Sequence, residues 1–270
     1  RQRQMCIRDR QEGACSPFDG RALMTTDYAK TSLAPPIWVL AMAVSAANVG
    51  ISLLSPAIPQ LRDDLMVTSD EAQLVLSAFL IMLGFGQLIA GSLSDRIGRR
   101  PVLVYGSLLF VLSGFGALLA NSIEMLVFMR ILQGLGAAAC MAMGRVIISD
   151  SFQHAEAGRQ MSTITMFQSV VPLLGFSFGG VLADLVGWRG SVGFMVVTAA
   201  IVFAGASMLL AESRDPSIKP VPATRIIFVY WQLLVTPLFI ANAMMAATVT
   251  AVYFSMGGFL PYEFKRLGSS

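Results

Sequence analysis

Apolar residues run along this chain in blocks of about 20, and short polar stretches separate the blocks. A helix of that length matches the hydrocarbon thickness of a bilayer, so each block reads as a membrane-crossing span. The pattern predicts span 1 over about 36–58, span 2 over about 73–93 and span 3 over about 101–120. Span 4 follows over about 124–148, span 5 over about 161–185, span 6 over about 191–211 and span 7 over about 237–259. Thr68 followed by Glu71 reads as a capping box that opens span 2. Asn121 followed by Glu124 reads as the start signal of span 4. Pro101 suits the first turn of span 3, where its missing N–H costs nothing. The longest polar break, ESRDPSIKPVPATR at 212–225, holds three prolines and predicts an extended, exposed linker.

Composition agrees with the pattern. Hydrophobic residues make up 55% of the chain and charged residues 13%. A soluble domain carries roughly 25% charged residues, so this chain cannot coat a water-facing surface. The net charge of +3 matters less than where the charges sit. With the N-terminus inside, the inner loops hold Lys30, Arg96, Arg99, Arg100, Arg159, Arg214, Lys219 and Arg225. The outer loops of the first six spans hold only Arg62 and Arg189, which predicts a cytoplasmic N-terminus. No basic stripe suggests a nucleic-acid partner. Cys6, Cys15 and Cys140 lack metal-ligand spacing, and the single histidine, His154, reads as a solvated loop residue, so no metal site is expected.

The chain contains a repeat. Gly91–Arg100 (GSLSDRIGRR) aligns without gaps to Gly180–Arg189 (GVLADLVGWR), 89 residues later. Five of the ten positions are identical: Gly91/Gly180, Leu93/Leu182, Asp95/Asp184, Gly98/Gly187 and Arg100/Arg189. One copy ends span 2 and the other ends span 5, on opposite sides of the membrane. A three-span unit repeated in inverted orientation is an architecture of secondary transporters.

The first copy also asks for a physical reading. Gly91 is expected to let the end of span 2 approach a neighbour closely. Asp95 is placed to accept hydrogen bonds from a helix N-terminus or to pair with an arginine. Gly98 permits a backbone conformation closed to other residues, so the chain can reverse tightly. Arg96, Arg99 and Arg100 hold the loop inside and offer themselves to carboxylates or lipid phosphates.

This stretch resembles the loop motif of the major facilitator superfamily, G-x-L-x-D-R-x-G-R-R/K. The resemblance implies that Gly91, Asp95, Arg96, Gly98, Arg99 and Arg100 form a latch between two six-span halves, with Asp95 and Arg99 as its ionic partners. Arg130-Ile-Leu-Gln-Gly-Leu-Gly136 resembles the family's span 4 motif, R-x-x-Q-G-x-G. It implies an Arg130 that faces the central cavity and tunes a proton site or binds anionic substrate, with Gln133 bracing it and Gly134 and Gly136 packing tightly. A charge within a span costs about 2.5–3.5 kcal/mol on translocon scales. Snorkelling of Arg130 to the near surface is the competing reading. Pro172-Leu-Leu-Gly-Phe-Ser-Phe-Gly-Gly180 resembles the span 5 motif of the drug:proton antiporter branch, P-x-x-G-P-x-x-G-G, and departs from it at Phe176. Pro172 permits a bend, and Gly175 and Gly179 offer a packing face, with Gly180 completing the motif. Pro56–Pro59, Ser77–Phe79, Arg145–Asp150 and Trp188-Arg189 are similar to the bicyclomycin-resistance-like group, although Ser52 stands where that group often has an aspartate. No carboxylate lies in the middle of any span, so the proton carrier is not identified among these residues. Asn48, Ser52, Met141, Met143, Asn242, Met244 and Met245 are candidates for a substrate cavity.

Residues 1–10 resemble the translation of a sequencing adapter, so they are expected to be a scar, with Met24 as the native start. The expected organisation is an N-terminal tail over 1–32, a six-span bundle over 33–211 and a cytoplasmic linker over 212–225. The beginning of a second bundle, cut short, follows over 226–270. The expectation is an all-α, multi-pass protein of the major facilitator fold in the bacterial inner membrane. It would be a monomer when full length and would need the missing half for transport. The resemblance implies a secondary transporter that exports small amphipathic compounds or drugs, with the proton gradient as energy source and no cofactor. Import of a sugar, organic acid or nucleoside is the alternative, because importers share the loop motif. A non-transporting receptor or scaffold is the alternative of another class. A membrane-embedded enzyme would need clustered polar groups at membrane depth, and an ATP-driven pump would need a Walker loop; the sequence offers neither.

Overall fold

The computed structural model describes residues 35–214 and, beyond them, residues 228, 231–245, 247–248 and 251. The expected scar at 1–10, the start at Met24, Lys30 and linker residues 215–225 lie outside the described residues. Six described helices are long and apolar enough to cross a membrane. They are span 1, Ile37–Leu65; span 2, Ser69–Ile97; span 3, Arg99–Leu118; span 4, Ile123–Ser151; span 5, Ala155–Val186; and span 6, Trp188–Leu209. Residues 237–245, in the region of about 237–259 where a seventh was expected, are helical and exposed, as are residues 231–235, and residues 252–259 lie outside the described set.

Spans 1, 2, 4 and 5 run longer than the apolar blocks alone suggest, because polar turns continue those helices past the apolar stretch. Span 1 does not stop at its prolines. Pro56 sits in a short 3-10 turn, Ser55–Ala57, and Pro59 in the first turn of the following helical segment, Ile58–Leu65. Both prolines occupy positions where a missing N–H is tolerated. Met66, at φ 53° in the left-handed region, ends that segment. Span 2 opens at the expected capping box: Thr68 N donates to Glu71 Oε2 at 2.8 Å, and Glu71 N donates to Thr68 Oγ1 at 3.3 Å. Span 4 differs from expectation. Its cap is Ser122, not Asn121; Ser122 has extended backbone, and its hydroxyl accepts from Met125 N at 3.4 Å. That places the cap three residues before its donor, the spacing an N-cap needs. Span 5 begins about two turns earlier than expected, so His154 belongs to the first helical turn and not to a loop.

The repeat is visible in the backbone. Gly98 N donates to Ser94 O at 3.0 Å and Gly187 N to Ala183 O at 2.8 Å, so each glycine closes a span. Gly98 (φ 108°, ψ 161°) and Gly187 (φ 78°, ψ 178°) then turn the chain in a region that favours glycine, and the next span starts at the following residue.

Span 4 packs closely against three others. Cβ atoms built on Gly134 and Gly136 would fall on the carbonyls of Phe79 in span 2 and Gly106 in span 3, and one on Gly144 would overlap the Val44 side chain in span 1. Such close backbone approach is how helices associate where no hydrophobic force separates them from lipid. Spans 2 and 5 stay open on one side, with Ile81, Phe85, Ile89, Leu173, Leu174 and Val181 exposed.

Candidate functional site

The charged junction between spans 2 and 3 is organised by Arg99. Its Nη1 donates to Asp95 Oδ1 one turn back and to Ser94 Oγ at 2.6 Å. Its Nε donates to Asp150 Oδ2 at 3.1 Å, at the end of span 4. The pair Asp95–Arg99, which the sequence singled out, therefore meets within one bundle, and Asp150 joins it. The first turn of span 3 is capped from far along the chain. Arg99 N and Arg100 N donate to the two oxygens of Glu212, at 2.9 and 3.2 Å. A carboxylate at a helix N-terminus satisfies orphan donors and complements the helix dipole. A Cβ on Gly98 would lie 2.5 Å from Glu212 Oε2, so that glycine serves the turn and the seating of Glu212 together. Arg100 Nη2 donates to Ser207 O at 2.7 Å, and Arg214 Nη1 donates to Arg96 O at 2.7 Å. Gly91 does not make the expected close approach: a Cβ there would meet nothing within 4 Å among the described residues.

Arg130 is fully buried, so it does not snorkel. Its Nη2 donates to Gly50 O of span 1 at 2.8 Å, Nε to Val75 O of span 2 at 3.3 Å and Nη1 to Gln133 Oε1 at 2.6 Å. The guanidinium stands over the Phe79 ring, 4.4 Å from its centroid. Gln133 braces it, as the sequence suggested. Donors spent on backbone carbonyls and a guanidinium shielded from solvent make Arg130 a knot tying spans 1, 2 and 4, not a group open to a ligand.

Span 5 lays its glycine face on span 1. Pro172, Gly175 and Gly179 are buried, and Cβ atoms on the two glycines would overlap Ser52 and the Leu53 backbone. Gly180 has no neighbour within 4 Å and does not share this face. Ser52 is therefore buried between spans 1 and 5, and its Oγ donates to Asn48 O at 2.7 Å. Met143 is buried in the core as well. Asn48 and Met141 keep some exposure. Asn48 Nδ2 donates to Gln168 O at 2.9 Å, and Met141 Sδ accepts from Gln87 Nε2 at 3.8 Å. Asn242, Met244 and Met245 are exposed, and Asn242 Nδ2 turns back to Leu238 O at 3.0 Å. The structure does not bring these three to the other candidates among the described residues.

The opposite end of the bundle carries a second polar cluster. Trp188 Nε1 donates to Asp64 Oδ2 at 3.0 Å, and Arg189 Nη1 lies 3.6 Å from the same oxygen. Arg189 stacks on the Trp188 ring and donates from Nη2 to Ala120 O at 3.1 Å. Among the described residues no group of three His, Cys, Asp or Glu side chains is placed to hold a metal ion.

The family model for the Major Facilitator Superfamily matches residues 40–270. A chloramphenicol resistance protein of Pseudomonas aeruginosa is 34% identical over 188 residues, 68% of this chain and 44% of the relative. Multidrug resistance protein D of Escherichia coli K12 is 30% identical over 192 residues, 71% of this chain and 48% of the relative. The chain thus spans about half the length of the curated relatives it matches. In fold it is similar to the crystal structure of a point mutant of the peptide transporter POT in complex with alafosfalin. The TM-score is 0.61 at 15% identity, covering 84% of this chain and 50% of that one.

Proposed function

The chain belongs to the major facilitator superfamily, and we propose that it is the first bundle of a proton-coupled exporter of small amphipathic compounds. The relatives' names, chloramphenicol resistance and multidrug resistance, support export over import. The observation that carries the mechanism is the pair of inverted three-span repeats with the Arg99 junction at one end. Such a bundle rocks against a second one around a site near the bilayer midplane. The loop positions then act as the latch: Asp95 and Arg99 trade partners between the two bundles as the cytoplasmic gate opens and shuts. Arg130 sets the relative positions of spans 1, 2 and 4, so its role is to position the cavity walls.

The protein lies in the bacterial inner membrane with its N-terminus in the cytoplasm, where the excess of Lys and Arg in the Arg99-side loops belongs. It works as a monomer, as a carrier and not as an enzyme, and takes no cofactor. Transport needs a second bundle, and the titrating carboxylate resides there, because spans 1–6 hold none near their centres. The test uses energised membrane vesicles from cells expressing the full-length protein. Chloramphenicol movement is expected to stop when a protonophore collapses the gradient, and Asp95→Asn is expected to abolish it while membrane insertion persists. Transport that survives the protonophore refutes proton coupling, and normal transport by Asp95→Asn refutes the latch.

A further inference from the structure

Span 4 carries two arginines between its ends, Arg130 and Arg145. They stand about 22 Å apart along the helix axis. Arg130 is shielded from solvent and spends its guanidinium on three protein acceptors. Arg145 is held differently. It is half-buried, and its Nη2 donates to Gln168 Oε1 of span 5 at 2.8 Å. A guanidinium has five N–H donors, so most of its capacity remains. Nor does Arg145 make an ion pair among the described residues. Every acidic residue in the six spans lies within two residues of a helix end, whereas Arg145 lies well inside span 4.

A chain of polar contacts runs from Arg145 to span 5 and on to span 1, and a second contact joins spans 4 and 2 one turn earlier. Gln168 binds it through the side chain and accepts Asn48 Nδ2 of span 1 at its backbone oxygen, 2.9 Å away. Met141, one turn earlier on span 4, accepts from Gln87 Nε2 of span 2. All five residues keep part of their surface open, in contrast to the sealed Arg130 site. A cation inside a span is costly unless something answers its charge. The guanidinium, the Gln168 amide that holds it and a polarisable thioether one turn earlier on the same helix offer a surface that grips one charged oxygen group and adapts to the apolar body behind it.

We propose that Arg145 is a ligand-binding residue that receives an anionic oxygen group of the transported compound, with Gln168 as its positioning residue. Met141 and Gln87 flank the remainder of that compound. The proposal rests on the transporter reading and deepens it: the carrier takes amphipathic anions as well as neutral compounds.

Two probes that share one scaffold test it: neutral N-phenyl-1-naphthylamine and its sulfonate, 8-anilinonaphthalene-1-sulfonate. Their energised movement is followed by fluorescence in everted vesicles containing the full-length protein. Wild-type protein is expected to move both. Arg145→Gln is expected to lower sulfonate transport about tenfold or more and to leave the neutral probe within about twofold, the loss of one charge-assisted contact. Gln168→Glu gives Arg145 an internal counter-ion without changing side-chain size, and it is expected to show the same selective loss. Arg145→Lys is expected to retain part of the sulfonate transport. An equal loss of both probes, or an unchanged ratio, overturns the subsite and leaves Arg145 a structural residue. Wild-type protein that moves the neutral probe but not the sulfonate also overturns the subsite while sparing the transporter reading. Wild-type protein that moves neither probe overturns both.

Discussion

Gly136→Ala measures how tightly span 4 is seated. A Cβ at that position would lie 2.6 Å from Gly106 O, 2.7 Å from Phe110 N and 3.0 Å from Phe110 Cα. All three are backbone atoms of span 3, so no side chain can rotate out of the way. Restoring ordinary contact requires span 3 to slide off span 4 by roughly 0.8 Å, in an interior packed as densely as an organic crystal. Overpacking of this kind costs about 1–3 kcal/mol. Alanine recovers about 0.8–1 kcal/mol of helix propensity over glycine. With rigid backbone on every side the cost falls at the upper end, and the net expectation is a loss of about 2 kcal/mol. Gly91→Ala supplies the opposite case in the same bundle. Among the described residues nothing lies within 4 Å of the added methyl, so only the propensity gain of about 0.5–1 kcal/mol remains. The assay heats detergent-solubilised, fluorescently tagged protein and reads the surviving monodisperse peak by size exclusion. The two variants are expected to shift in opposite directions. A Gly136→Ala protein that melts with or above the wild type refutes the close seating of span 4 on span 3.

Arg130→Lys is expected to lose at least one of the three hydrogen bonds, because an ammonium cannot reproduce a planar fork that reaches Gly50, Val75 and Gln133. The stability loss read in the same heating assay is about 1.5–3 kcal/mol, and an unchanged melt refutes the knot between spans 1, 2 and 4. Glu212→Gln removes the charge that caps span 3, a term of about 0.3–1 kcal/mol. Amide exchange is expected to quicken at Arg99 and Arg100; unchanged protection there refutes the cap.

The spans were legible because a bilayer imposes one length on every apolar helix, and the repeat was legible because Gly98 and Gly187 have no substitute at their backbone angles. Arg130 stood out as a charge in an apolar block, but its environment did not. Whether a buried guanidinium meets solvent or the carbonyls of Gly50 and Val75 depends on how three helices lie together, and no local pattern records that. Glu212 is hidden for a similar reason: it stands more than 110 residues along the chain from the amides it caps. Ser52 and Met143 were read as cavity residues from their positions along a helix, and the helix face was the uncertain quantity. Gly175 of span 5 seats against Ser52, and Met143 packs in the core with Leu40 of span 1, which shows how those faces turn. Arg145 was seen only as part of a helix ending, since its distinction lies in what it lacks nearby.

The two polar clusters at the bundle's ends have a mechanical consequence. At one end Asp150, closing the first span of the second repeat, holds Arg99, opening the third span of the first. At the other end Asp64, closing the first span of the first repeat, holds Trp188 and Arg189, opening the third span of the second. Each repeat is strapped to its twin crosswise, once near each membrane surface. A frame braced on both diagonals resists shear, so torque applied at one rim reaches the other without the six helices slipping past one another. In the proposed rocking such a bundle would turn as one stiff lever, and the displacement it delivers would be set by its length and by where its pivot lies.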